Sequence, residues 1–403
     1  MVNYKKNICL LTAFLMMLSI TACTPEESKE LDKATPVTEQ NIADNGSIGA
    51  LLEETPSHMS QVFSENFSVE ADIHIPNVQK ADVLFAKYMK FDEQTLLSVF
   101  YDGKTPSKKT NPVDNAITYQ DNSSNMVVSN NYFLYRSKDF EYLKFPTDNF
   151  ISTSDISSAN RRFNEVYKHE NLNFMTKAEA FDTVRNVLKR LSIDTMDNAE
   201  IYAIDFQTMQ KQQEERIQRD YEIQKKMGVS PLKDPTYGYQ IKDKFTQDDD
   251  FYILYFTVKQ DKIPVTQKSY NIMNGERNLM GSTVRVSLSK KGVSEFICYG
   301  IYEPLGIAES PSTLISVEKA LQKAYEIHNA IITTDKVTVK AIDFEYVPVA
   351  YNKNYGEVKL TPAWSLALTY EHDKPSKDGK KALKSTKSTR MVFINAVTGE
   401  EIK

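Results

Sequence analysis

Three side chains that could take part in acid–base or metal chemistry are spaced two residues apart in one stretch of the chain. Glu70, Asp72 and His74 alternate with apolar residues. Residues two apart in a strand point to the same face and lie roughly 7 Å from one another, so the pattern predicts a row of polar side chains. A metal ion bound there would need a further ligand from another part of the fold. The simpler interpretation is the solvated face of a half-buried strand.

No other combination of residues indicates a catalytic centre. The sequence contains no zinc-protease, nucleophile-elbow, phosphate-binding-loop or dinucleotide-binding motif. The run Asp248–Asp250 lacks the spaced ligands and the glycine of a calcium-binding loop, and we interpret it as a charged loop. The five histidines are widely separated, at His58, His74, His169, His328 and His372. We therefore expect a protein that is not an enzyme and that uses no cofactor and no metal ion.

The sequence around Cys23 predicts a chemical modification of this cysteine. Two lysines precede an apolar run over residues 8–18, and Ile-Thr-Ala stands immediately before Cys23. This order is typical of a secretory signal peptide, and the apolar run is too short to span a bilayer. Its ending resembles a bacterial lipobox, which implies removal of residues 1–22 and a diacylglyceryl group on the sulfur of Cys23. We expect a lipid anchor in the cell membrane, on the extracytoplasmic face, because two acyl chains hold a protein there stably.

Cys298 and Trp364 are both predicted to be core residues. Cys298 lies two residues after Phe296 in an apolar strand, and it has no disulfide partner once Cys9 leaves with the signal and Cys23 is lipidated. A free cysteine in such a setting usually packs as a small apolar residue. Trp364 is the only tryptophan, and we expect it to anchor the core. The alternative is a stacking platform for a sugar or peptide, which would make Trp364 a ligand or partner contact.

Composition excludes one class of partner and suggests a domain organisation. The formal net charge is −5, and it becomes −7 when residues 1–22, with two lysines and no acidic residue, are removed. An acidic protein lacks the positive charge that nucleic-acid binding requires.

At roughly 150 residues per domain, two or three domains are expected. The pattern divides the chain into a signal peptide (1–22), a disordered tether (23–60), a strand-rich N-terminal domain (61–172) and two further units (173–308 and 309–403).

Each of the two C-terminal units is predicted to begin with a capped amphipathic helix. Thr176 and Glu179 form a capping box, and Ser316 is a good N-cap for the second helix. Strands follow both helices, and a nearly continuous apolar run at 251–258 predicts a strand buried on both faces. The predicted core face of the first helix consists of Ala178, Phe181, Val184, Leu188 and Leu191.

A third predicted helix, over residues 207–227, contains few apolar residues. Its basic and acidic residues nearly balance, and the simplest interpretation is a solvated helix on the surface. The alternative is an arm that packs on a partner, with Lys211 and Lys225 as possible contact residues.

The two C-terminal units share a short sequence at matching positions. Ala-Ile-Asp-Phe occurs at 203–206 and at 341–344, 27 residues after Thr176 and 25 residues after Ser316. This match favours a duplication of one helix lying across an antiparallel sheet, which is an α+β fold.

Together with Pro-Ala-Trp at 362–364 and the closing segment at 392–400, the two units resemble PepSY-type units. They are also similar to the extracytoplasmic YycH and YycI proteins, a resemblance that implies modulation of a membrane histidine kinase. With the lipobox, the whole chain resembles uncharacterised lipoproteins of Gram-positive, clostridial-type bacteria.

These observations predict an α+β protein with antiparallel sheets, each covered by a helix, and two PepSY-like repeats behind a strand-rich N-terminal region. We expect a membrane-anchored lipoprotein that binds or regulates an envelope protein without catalysis. The alternative is a lipoprotein that binds a peptide or glycan and delivers it to a transporter. The scarcity of alternating strand–helix units counts against the usual two-lobed solute binder.

Overall fold

The computed structural model describes residues 47–147, 166–167, 169–228, 241–268, 270–271, 278–279, 281–330, 335–351, 356–374 and 383–403. All of them belong to one compact unit, Asn45–Lys403. The described helices are α1 (Ile48–Glu54), α2 (Glu93–Phe100), α3 (Phe140–Thr147), α4 (Lys177–Arg190), α5 (Phe206–Lys226) and α6 (Val317–Asn329).

The described strands up to β10 are β1 (His58–Ser64), β2 (Phe67–His74), β3 (Val83–Tyr88), β4 (Ser107–Thr110), β5 (Ile117–Gln120), β6 (Ser124–Val128), β7 (Tyr132–Ser137), β8 (Thr195–Ile204), β9 (Phe251–Gln260) and β10 (Ile263–Pro264). The remaining strands are β11 (Tyr270–Asn271), β12 (Asn278–Leu279), β13 (Thr283–Ser289), β14 (Gly292–Tyr299), β15 (Tyr302–Glu309), β16 (Lys336–Ala350), β17 (Glu357–Lys374), β18 (Leu383–Asn395) and β19 (Glu401–Ile402).

The strands form two large sheets, which confirms the predicted α+β class. The first sheet has the order β1-β2-β16-β17-β18-β19, with β3 beside β17 and β15 beside β3. The second sheet has the order β10-β9-β13-β14-β7-β6-β5-β4, with β8 beside β9. All pairs in the two sheets are antiparallel except β2 with β16, which run parallel. The first sheet joins strands from before residue 172 to strands from after residue 309, and the second sheet joins strands from both sides of the boundary drawn at 172/173.

The first sheet is covered on one face by α6. The alternation predicted for residues 67–75 is confirmed in β2, where the apolar side chains are buried and the polar ones lie on the opposite face. Phe67 contacts Tyr325 of α6 with ring centroids 5.5 Å apart and His328 with centroids 5.4 Å apart. His328 is buried, as its place on the apolar face of the helix predicts.

The second sheet is covered by α4. The predicted capping box is present, because Thr176 Oγ1 accepts from the amide of Glu179 while the Glu179 carboxylate accepts from the amide of Thr176. Phe181 stacks on Phe256 of β9 at 5.6 Å. The prediction that Ala178 faces the core is wrong: Ala180 is buried and Ala178 is exposed. Residues two apart on a helix point ~200° away from each other, so only one of the two can face the sheet.

The two helix-led segments have the same order of elements. After α4 the chain forms the adjacent antiparallel strands β8, β9, β13 and β14, and after α6 it forms β16, β17, β18 and β19. The first segment contains additional elements, α5 and β10 to β12. The shared Ala-Ile-Asp-Phe letters occupy different positions, because Asp205 follows the end of β8 and caps α5 whereas Asp343 lies inside β16.

The residues nearest the N-terminus that the structure describes are ordered elements. Ser47 caps α1, which buries Ile48 and Leu52, and β1 begins at His58. α1 and the first residues of β1 lie inside the segment 23–60 that composition predicts to be a tether. The sequence carries only a weak signal for a short helix over residues 48–54. Cys23 and the signal region lie outside the described residues. In the part of the chain described, no helix combines the length and the apolar character needed to cross a bilayer.

Candidate functional site

Histidines and carboxylates form a row on the face of the first sheet opposite α6. We call His58, Glu70, Asp72, His74 and Asp343 the histidine–carboxylate row. The antiparallel pairing of β1 with β2 sets His58 opposite Asp72, and the parallel pairing of β2 with β16 sets Asp343 beside His74. The row therefore depends on three strands, and one of them is nearly 270 residues away along the chain.

Short hydrogen bonds connect the members of the row. His58 Nδ1 lies 2.8 Å from Asp72 Oδ1, and His58 Nε2 lies 3.2 Å from Glu70 Oε1. His74 Nδ1 lies 2.8 Å from Asp343 Oδ1. Both ring nitrogens of His58 therefore face carboxylates, an arrangement that suits a protonated imidazole with two N–H donors.

The charges of the row stabilise one another. The hydrogen bond to Asp72 is the largest cause that raises the pKa of His58 above its usual value, and the bond to Asp343 raises the pKa of His74 in the same way. The hydroxyl of Ser60 donates to Glu70 at 2.8 Å and holds the pKa of that carboxyl below its usual value. These groups are exposed to water, so the row is a charged surface feature of modest stability.

The row does not form a metal centre. Among the residues that the structure describes, no group of three or more histidine, cysteine, aspartate or glutamate side chains is arranged to hold a metal ion. The imidazole nitrogens of His58 point to different carboxylates instead of converging on one point. The row can offer hydrogen bonds and charge to a binding partner.

One further carboxyl, Glu345, lies two residues after Asp343 on the same strand. Burial raises the pKa of Glu345 to about 8, and the negative charge of Asp343 adds to the effect.

A second group of acids lies at the N-terminus of α5. Asp205 caps the helix by accepting from the amides of Gln207 and Thr208 at 3.0 Å. Asp250 is buried and accepts from the amide of Phe206 at 2.7 Å. Burial raises the pKa of Asp250 to about 6, with the nearby charge of Asp205 as a smaller cause. This arrangement positions α5 on the sheet, and the partly positive helix N-terminus favours the two acids.

A buried ion cluster connects the central strands of the second sheet. Glu295 is fully buried between Arg136 Nε and Arg285 Nη2, each 2.7 Å from a carboxylate oxygen. Because the cluster is enclosed, we assign it a structural role in holding β7, β14 and β13 together.

The two candidate core residues are both inside the protein. Trp364 has no exposed surface, contacts Phe344 with centroids 5.1 Å apart and donates from Nε1 to the carbonyl of Ile315 at 3.0 Å. The alternative in which Trp364 stacks on a ligand or partner is therefore wrong. Cys298 is also fully buried, and burial raises the pKa of its thiol far above the usual value. A thiol in this state is a poor nucleophile.

The remaining candidate contacts lie on the outer surface of α5. Lys211 and Lys225 are both exposed, and Lys211 Nζ lies 3.7 Å from Glu215 of the next turn. Apolar side chains are exposed near the C-terminal end of the same helix: Tyr221 (45%), Ile223 (45%) and Met227 (72%). We call these three residues together with Lys211 and Lys225 the α5 surface.

The buried side of α5 is held by polar contacts. Gln213 is 4% exposed, and its amide group donates to the carbonyl of Lys242 at 2.7 Å. Gln210 accepts from the amide of Phe245 at 3.0 Å. Glutamines that bond to a neighbouring backbone hold a helix without a wide apolar stripe, which explains why the helix has little amphipathic signal.

Two depressions lie in the described surface, the first lined mostly by polar side chains and the second by polar and apolar side chains in about equal number. One of about 390 Å³ lies between α3 and the β13–β14 turn, where Lys291 pairs with Asp139. Another of about 460 Å³ lies between α1 and the segment after β2. Neither contains a histidine or a cysteine among its lining residues.

Comparison with known proteins shows the fold and no family. No protein-family model and no curated protein matches the chain. A solved structure of an uncharacterized protein from Eubacterium rectale ATCC 33656 is similar, with a TM-score of 0.61 and 16% sequence identity. The match covers 88% of this chain and 97% of the other. The chain therefore shares its architecture with a clostridial protein along nearly all of that protein's length.

Proposed function

We propose that this protein is a lipid-anchored module on the extracytoplasmic face of the cell membrane that binds another envelope protein without catalysis. The anchor is the diacylglyceryl group on Cys23. The partner contact lies on the α5 surface. The resemblance to PepSY-type units and to the YycH and YycI proteins suggests a regulatory partner such as a membrane sensor.

The observation that carries this proposal is the exposure of apolar side chains on a helix that is otherwise charged. Tyr221 and Ile223 are each 45% exposed and Met227 is 72% exposed. Aromatic residues and methionine are enriched where proteins bind each other, with charged residues around them. Lys225 lies one helical turn after Tyr221 on the same face and supplies such a charge, while Ile223 and Met227 lie one turn apart on a neighbouring face.

The chemistry of the described residues supports binding over catalysis. The histidines of the row lie on an exposed sheet face and line neither of the two depressions, and the thiol of Cys298 is enclosed. The alternative, capture of a peptide or glycan for a transporter, loses its best sequence argument because Trp364 is buried.

The α5 surface can be tested by photo-crosslinking in intact cells. A benzophenone amino acid replaces Lys225 in one variant and Lys211 in a second, and a third variant carries it at Lys108, an exposed residue of β4. We expect one discrete adduct with an envelope protein from positions 225 and 211 and none from 108. No adduct from either helix position, or the same adducts from all three, would show that the α5 surface is not the contact.

A charge substitution separates the apolar contact from general attraction. Tyr221→Glu places a carboxylate one helical turn before position 225, on the same face of α5, and should abolish the adduct from position 225. Lys226→Glu changes the local charge more strongly without removing an apolar side chain and serves as the matched control. Equal loss of the adduct in both variants would point to charge instead of apolar contact.

A further inference from the structure

The first strand of the first sheet has one free edge. β1 pairs with β2 on one side, and within the part of the chain described no strand pairs with its other side. The amide of Ile73 donates to the carbonyl of Ser57 at 2.9 Å. Because inward and outward groups alternate along an antiparallel pair, the N–H and C=O groups of His58, Ser60 and Val62 point outward. We call this row of backbone groups the β1 edge.

The other described edges carry the features that normally prevent strand addition. Such features are lysine or proline on the edge, bulges and very short strands. Basic residues protect β4 (Lys108 and Lys109) and β18 (Lys387 and Arg390). A proline and a bulge protect β15 (Pro304 and Gly306), and a bulge between Thr195 and Ala199 protects β8. β10 and β19 are only two residues long.

The β1 edge lacks this protection from His58 to Val62, the part that precedes the register irregularity between Val62 and Ser64. β1 contains no lysine, arginine, proline or glycine, and its register with β2 is regular from His58 to Val62. Val62 is 76% exposed at the edge itself. Among the described strands the other edges are protected and this one is open, which suits it to an added strand.

The charge around the edge indicates what kind of strand it accepts. No lysine or arginine occurs from Ser47 to His74, a segment that contains α1, β1 and β2. The same segment contains five acidic residues, at Glu53, Glu54, Glu65, Glu70 and Asp72. A second copy of this chain would bring two such acidic segments together and be repelled, whereas a basic segment would be attracted.

We propose that the β1 edge binds an extended, basic segment of a protein partner by adding it as a further strand of the first sheet. The inference rests on the proposed binding function, but it uses a different surface from α5. Side chains of the added strand would alternate between two environments. On the α6 side they meet Met59 and Phe63, and Phe63 lies 5.5 Å from the ring of Tyr325, so apolar residues fit there.

On the opposite side the added strand lies next to the histidine–carboxylate row. His58 and Ser60 of β1 lie directly beside the added strand, and Asp72 and Glu70, with side chains 72% and 54% exposed, lie one strand further away. The two carboxylates outnumber the single imidazole of His58, so a long lysine or arginine side chain that reaches across β1 finds net negative charge. The partner segment is therefore one in which basic and apolar residues alternate and proline is absent.

The test uses the full chain in detergent and a fluorescent heptapeptide of alternating lysine and valine, followed by anisotropy. One control peptide has glutamate in place of lysine. A second control has N-methyl groups on both the lysines and the valines, which removes the backbone donors of both edges of the peptide. We expect saturable binding of the lysine peptide and binding at least about tenfold weaker for each control, since losing even ~1.4 kcal/mol of backbone or charge contact is tenfold in affinity.

Two variants locate the binding to the β1 edge. Ser60→Pro removes an outward N–H and leaves the inward bonds to β2 in place, and Val62→Lys adds the protecting charge that other edges carry. Both should weaken lysine-peptide binding about tenfold or more, while Ser60→Thr should leave it unchanged. Val62→Lys changes only an exposed side chain, so it decides the question if Ser60→Pro fails to fold.

The outcomes separate this inference from the proposed function. Undiminished binding of the lysine peptide by Val62→Lys, or no binding by the wild-type chain, would overturn strand addition at β1. Concentration-dependent dimers lost in Val62→Lys would overturn it in favour of a second copy. Failure of the α5 crosslinks with edge-dependent peptide binding intact would refute the α5 contact alone.

Discussion

The buried carboxyl of Asp250, at the start of α5, allows a quantitative test of how this helix is held on the sheet. Asp250 is 3% exposed, and its Oδ1 accepts from the amide of Phe206 at 2.7 Å. Asp250→Asn keeps an oxygen for that amide and removes the buried charge. We therefore expect the variant to be more stable than the wild type at neutral pH.

The size of the effect follows from the pKa. Burial raises the pKa of Asp250 from 3.8 to about 6, which corresponds to at most ~3 kcal/mol of lost folding free energy at pH 7, where the carboxyl is ionised in both states. Because the folded-state pKa is above the unfolded value, the cost is absent below pH 3.8 and grows as the pH rises through about 6. The stabilisation by Asp250→Asn should therefore be largest above pH 7 and shrink on acidification.

Urea unfolding at pH 8 and at pH 5 measures this difference. Asp243→Asn, at an exposed position of the segment that contacts α5, is the matched control because it removes the same charge from the surface. We expect the control to differ little from the wild type at both pH values. A lower free energy of unfolding for Asp250→Asn at pH 8, or an equal gain at both pH values, would refute the assignment of a buried, ionised carboxyl.

Three further substitutions test the assignments of buried side chains to structural roles, each by the free energy of unfolding. Trp364→Phe loses a hydrogen bond to Ile315 and part of a filled core site, so we expect a loss of ~2–3 kcal/mol; an unchanged value would mean that the ring is not enclosed. Glu295→Gln leaves two arginines beside a neutral amide, and breaking a buried ion cluster should cost ~3–5 kcal/mol; a cost below ~1 kcal/mol would place the cluster in water. Thr176→Ala removes the capping box of α4 and should lower the free energy of unfolding by ~1 kcal/mol. An unchanged free energy of unfolding would contradict the observed cap.

Local signals in the sequence predicted the elements that depend on neighbouring residues. The alternation from Phe67 to His74 is a strand because one face of β2 packs on α6. Thr176 and Ser316 cap helices because each accepts an amide within its own first turn.

Contacts between distant segments were not predictable in the same way. Asp343 meets His74 across a parallel pair, and parallel partners carry no signal in the spacing of residues along one strand. The pairing of His58 with Asp72 required knowing that β1 exists, and its side chains are too exposed to show an apolar alternation. The burial of Gln213 was also hidden, because its partner is a backbone carbonyl.

The most direct test of a lipid-anchored role is the mass of the N-terminal peptide of the protein recovered from the membrane fraction of its own cells. The account predicts a chain that begins at Cys23 with a diacylglyceryl group on sulfur, and a Cys23→Ala variant that leaves the membrane fraction. An unmodified chain that still begins at Met1 and is recovered from the soluble fraction would contradict it.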